Sequence, residues 1–324
     1  MQVQSGTPGK IIYQYVFNIV LFFLIPFFVQ AQSKYCIDEI VDLKLKSIPG
    51  GIVTYYSDGM EKRAAELKTL LERASIPLGD SLDVEINLSL AALGSKEWAQ
   101  VLDRPYGLPT LRTGACKRGG GSFPEPRYIA FIPGDVGGPL NSDWNALKDS
   151  ISPKTLQKLN DAGVSFEQGG KIMIDFVALH ELGHAYHLKF GIKNYVNFFA
   201  EFMADYIAYA FLRSTEERLD KKILAVLSSN VETIIPIHSS FLKWENFRSS
   251  EHPPTEAWYN SVVTLKAAEV FEQRGFEFLH VVRKAFPEEE GQLNTETIIA
   301  RMDSLNPGIL KWSNEISGLV RKTN

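Results

Sequence analysis

The chain is expected to fold as an α+β protein, with a small mixed sheet in its first half and helices from there to the end. Three observations predict this. Short strand-like runs are confined to the first 132 residues: GGIVTYYS at 50–57, the alternating VEINLSL at 84–90 and RYIAFI at 127–132. Two long apolar segments, 171–191 and 197–212, are helical in length and character. Beyond Leu212 the apolar positions keep a helical period, with Val263, Ala267, Val270 and Phe271 as one stripe and further apolar positions from Phe276 to Phe286. A hydrophobic content of 45% over 324 residues is ample for a sizeable core.

In chain order, residues 60–74 read as an amphipathic helix exposing Glu61, Lys62, Glu66, Lys68, Glu72 and Arg73. A Pro- and Gly-rich stretch at 102–126 reads as irregular, and Pro133-Gly134 stops the strand that follows it. Ser152-Pro153 caps a short helix to Asn160. The next helix runs from Lys171 as KIMIDFVALHELGHAYHLKFG, with Gly169-Gly170 before it and Gly191 as its stop. Asn306-Pro307-Gly308 marks a late break. The expected organisation is a segment at 1–31 that is removed, an α+β part at 32–190 and a helical part at 191–324.

His180, Glu181 and His184 spell HExxH inside that helix. At 3.6 residues per turn, positions four apart share a face, so both imidazoles can reach one cation while Glu181 lies beside it. A zinc hydrolase site takes three protein ligands and leaves one position open. The following apolar segment carries only two acids, Glu201 and Asp205, again four apart and with no Lys or Arg between them. Glu201 is the best third ligand. Asp205 is the best supporting carboxylate, accepting the free ring N–H of one ligand histidine. His187, three residues beyond His184, reads as a surface or supporting residue.

HExxH followed by Glu201-Phe202-Met203-Ala204-Asp205 resembles the gluzincins, zinc peptidases whose third ligand sits in an ExxxD element on a later helix. The metzincin extension HExxHxxGxxH is absent after His184, and a deformylase-like Cys ligand is disfavoured because Cys116 lies far upstream. The resemblance implies a zincin-like, thermolysin-like catalytic domain, one Zn2+ held by His180, His184 and Glu201, and Glu181 as general base. It also implies an oxyanion donor from the C-terminal half. Tyr259 is the matching position, although the family's Tyr-x-Lys-Gly signature is replaced here by Tyr259-Asn260-Ser261-Val262; His252 and Tyr186 are weaker candidates. In gluzincins the strand before the active-site helix lies at the sheet edge and pairs with extended substrate, which points to Arg127, Tyr128, Ile129 and Ala130; an interior placement of that strand is the alternative.

The formal charge, 34 minus 38 or −4, offers no basic stripe for nucleic acid. Lys10, the apolar run at 16–29 and Val29-Gln30-Ala31 read as an export signal cleaved before Gln32, with a membrane anchor through 11–29 as the alternative. In an exported chain, Cys36 and Cys116 invite a disulfide; in a reducing compartment both are free thiols. The expected function is an exported metallopeptidase acting on peptides or proteins. The alternative is a secreted binding module that keeps the metal without turnover.

Overall fold

The computed structural model describes residues 40, 43–114, 127–135, 139–193, 195–214, 218–245, 252–287 and 290–319. The expected signal or anchor at 1–31 and both cysteines lie outside them. Among the described residues no helix is long and apolar enough to cross a membrane.

The architecture is α+β, a small mixed sheet among many helices. Strands β1 (Lys46–Ile48), β2 (Val53–Tyr56), β3 (Leu88–Leu93), β4 (Thr110–Gly114) and β5 (Arg127–Pro133) form one sheet in the order β1-β2-β3-β5-β4. The central neighbours β2, β3 and β5 are parallel, and β1 and β4 run antiparallel at the two ends. β3 begins four residues later than the alternation at 84–90 suggests and is buried throughout. An interior parallel strand is covered on both faces, so LSLAAL needs no polar side. β4 falls within the Pro- and Gly-rich stretch, whose composition masks the local signal, and helix α2 (Ser95–Val101) immediately precedes that stretch.

Helix α1 (Glu61–Leu82) continues past Ala74 despite Pro77, because Leu67, Leu71, Ala74, Leu78 and Leu82 keep one buried face across it. Short helices α3 (Pro139–Ala146) and α4 (Pro153–Asp161) follow the sheet, the latter capped by Ser152 Oγ accepting the Thr155 N–H at 3.1 Å. α5 (Phe166–Lys189) begins five residues before the expected start, with a capping box between Ser165 and Gln168. Gly169 and Gly170 are therefore inside the helix. A Cβ at either would run into Trp144 or Asn141, so the pair is there to let α3 approach.

α6 (Asn197–Ser214) is followed by α7 (Leu219–Thr233), α8 (Phe241–Trp244), α9 (Pro253–Arg274), α10 (Glu277–Ala285), α11 (Thr295–Leu305) and α12 (Ile309–Ser317). The described residues belong to one unit, Tyr35–Asn324. Its main core is continuous from the sheet (Leu90, Ala130) through α5 and α6 to α9 and α11 (Val263, Ile298). A smaller cluster of Ala91, Leu93, Ile129 and Phe131 with Trp98 and Val101 covers the opposite face of the sheet. Between these layers α5 is held by the sheet on one side and by α6 on the other, and that crossing places the site.

Candidate metal centre

Gly183, inside the HExxH motif, lies directly against the backbone of α6. A Cβ there would overlap the carbonyl oxygen of Ala204, so the backbones touch with no side chain between them. That approach brings Glu201 across to the histidines. His180 Nε2 stands 3.0 Å from Glu201 Oε2, and His184 Nε2 stands 3.6 Å from Glu201 Oε1. One donor atom from each of the three residues can be chosen so that all lie within 4.8 Å of one another.

This donor set fits a divalent cation. Ligand bonds of about 2.0–2.1 Å at tetrahedral angles put neighbouring donor atoms about 3.3–3.5 Å apart, and the two nitrogen–oxygen spacings, each to a different oxygen of Glu201, fall within a few tenths of an ångström of that range. Burial fits as well. The side chains of His180, His184 and Glu201 keep 12%, 14% and 28% exposure, so the group is embedded but reachable from one side.

Each ring has a second partner. His180 Nδ1 lies 2.7 Å from Asp205 Oδ1, and the other Asp205 oxygen lies 2.7 Å from the Thr264 hydroxyl on α9. His184 Nδ1 lies 3.0 Å from His187 Nε2, whose ring is fully buried and reaches the Ile192 carbonyl through Nδ1 at 3.1 Å. Burial excludes the surface reading of His187.

The charges follow from this packing. Burial disfavours a charged His180 ring, but the carboxylates of Asp205 and Glu201 outweigh it and hold its pKa well above the usual value. Burial, reinforced by the charge of His180, keeps His184 well below it. Glu201 is buried too, yet His180 and His184 draw its pKa down to about 2. Burial pushes Glu181 up to about 7, with Glu201 adding to the rise and His180, Arg104 and the Leu111 backbone N–H opposing it. Arg104 is exposed and donates to the Pro109 carbonyl at 2.9 Å; partial desolvation lowers its pKa, and the charges of Glu181 and Glu201 partly restore it. On the helical side burial pushes Glu256 up to about 7, an effect that the charge of Glu201 increases.

Other sequence expectations are corrected. β5 is interior, paired with β3 on one side and β4 on the other, so Arg127, Tyr128, Ile129 and Ala130 are not at an edge. The edge beside α5 is β4, whose Leu111 N–H acts on Glu181. Tyr259 lies in the second turn of α9, fully buried. Its hydroxyl donates to the Ser240 carbonyl at 2.9 Å and lies 2.8 Å from His238 Nδ1, and its ring stacks on Trp244, so the hydroxyl is already engaged within the helical part. Tyr186 donates to the Ser75 carbonyl, and His252 caps α9 through Thr255.

The residues that sequence reasoning passed over are Thr264, Arg104 and Leu111. Thr264 is one polar residue in an otherwise ordinary helix, and the other two lie in or beside a stretch read as irregular. Comparison of the chain with protein families, curated proteins and solved structures finds no match.

Proposed function

We propose that the protein is a zinc-dependent metallopeptidase of the gluzincin type, with a zincin-like arrangement of sheet edge, active-site helix and following helix. The observation that carries this reading is the convergence of His180, His184 and Glu201 beside a buried Glu181. Two imidazoles and one carboxylate suit zinc better than magnesium or calcium, which prefer oxygen ligands. His180, His184 and Glu201 would hold the ion, which when bound supplies Lewis acidity toward a substrate carbonyl and toward water.

The chain's own residues do the rest. Glu181, with a pKa near neutrality, takes a proton from the attacking water and returns it to the departing amine. Asp205 and Thr264 hold the His180 ring in one orientation. Arg104, whose charge acts on Glu181 and Glu201 and whose Nη1 donates to the Pro109 carbonyl at 2.9 Å, is the candidate source of positive charge for the oxyanion. An extended peptide would lie along β4, the strand edge nearest Glu181. The reading includes export, in keeping with the signal-like pattern at 1–31.

Metal analysis of the purified full-length protein, paired with digestion of a peptide library with and without chelator, tests this. Stoichiometric zinc and chelator-sensitive cleavage are expected. Zinc without cleavage would favour the non-catalytic binding module, and absence of zinc from a folded protein would overturn the proposal.

A further inference from the structure

We infer that His187 is a positioning residue that sets which nitrogen of His184 faces the cation, acting as a neutral relay from a backbone carbonyl. The inference deepens the metallopeptidase reading and rests on it for the identity of the ion.

The device starts with Gly191, whose φ of +86° is in the left-handed region. That conformation closes the end of α5, with Gly191 N–H donating to the Leu188 carbonyl at 3.1 Å and Ile192 N–H to the His187 carbonyl at 2.9 Å. The reversal returns the Ile192 carbonyl to the His187 ring, 3.1 Å from Nδ1. A carbonyl oxygen can only accept, so the proton of His187 sits on Nδ1.

The other nitrogen of this buried ring is then an acceptor. It stands 3.0 Å from His184 Nδ1, which must donate to it. His184 therefore presents its unprotonated Nε2 on the side of Glu201, as a cation requires. Each hydrogen in the chain from Ile192 to His184 has one place to go.

His180 is oriented differently, by the carboxylate of Asp205. A second carboxylate behind His184 would add another negative charge to a site that already holds Glu181, Glu201 and Asp205. The imidazole relay orients the ring without that charge, which is the physical reason for a histidine at this position.

Side-chain 15N correlation spectra of the metal-free full-length protein at neutral pH test the relay directly. His184 and His187 are both expected as the Nδ1–H tautomer; a proton on His184 Nε2, or an even mixture, overturns the inference. Two variants give a second readout through zinc affinity measured by chelator competition. His187→Leu is expected to weaken zinc about ten- to hundredfold, while His187→Gln, which can accept from His184 and donate to Ile192, stays within about threefold of the parent. An unchanged Leu variant, or a Gln variant as weak as the Leu variant, overturns it too. A parent protein that shows the expected tautomers but binds no zinc would sink the metallopeptidase reading and leave the relay standing.

Discussion

The floor and the rim of the site are built differently. The floor is the α5–α6 crossing, where four ligand and supporting residues come from two i, i+4 pairs on helices that touch through Gly183. The rim is β4 and the loop before it, which bring Leu111 and Arg104 toward Glu181 from a distant part of the chain. If the site acts as proposed, the difference teaches that holding a cation and using it are separable. Helical periodicity organises the first, and sheet topology organises the second.

Glu181→Gln gives the sharpest separation. It is expected to lower peptide turnover by about 10²–10⁴-fold while zinc content stays at the parent level, measured by single-substrate kinetics and metal analysis. Loss of zinc in this variant would break the distinction, because Glu181 would then belong to the floor.

Arg104→Ala should act on the rim alone. A fall in kcat of about ten- to hundredfold, with little change in zinc affinity, is expected from removing one positive group at the developing oxyanion. An unchanged kcat would remove Arg104 from the mechanism.

Gly183→Ala should act on the floor alone. Forcing a methyl against the Ala204 carbonyl is expected to cost about 1–3 kcal/mol of stability, read as a lowered Tm, and to weaken zinc by moving Glu201 away. A variant that keeps both its Tm and its zinc would mean that the two helices can separate without consequence.

The smallest effect is a proton count. His180, with its raised pKa, enters zinc binding protonated at neutral pH, whereas His184 is held neutral and Glu201 ionised. In a Glu181→Gln, Glu256→Gln background, where both other groups near neutrality are gone, binding should release about one proton per zinc, so affinity falls as pH falls. Calorimetry in buffers of different ionisation heat measures this, and zero release would contradict the assignment of charge. The sign for folding runs the other way. The raised pKa of His180 makes a stabilising contribution to the metal-free protein that is full below its ordinary value and is lost as pH rises through the folded one.

Much of the floor is legible in the linear chain. The pairs His180/His184 and Glu201/Asp205, the helices that carry them and the stop at Gly191 follow from spacing and composition. Gly183 is visible as a letter, but its necessity depends on Ala204 lying across from it. Ile192 and Thr264 look unremarkable in the sequence because their roles are set by where a carbonyl and a hydroxyl arrive after folding. The strand at 127–132 reads correctly as a strand and incorrectly as an edge. Strand type is a local property of alternate residues, whereas edge position depends on β4 pairing outside it.

What the sequence determined by itself is the set of groups able to hold a cation, since helical geometry repeats every few residues and needs no partner to be read. What the tertiary structure alone decided is the strand that borders the site and the far ends of the hydrogen-bond chains behind each histidine. Those depend on contacts between residues tens of positions apart, which no local period encodes.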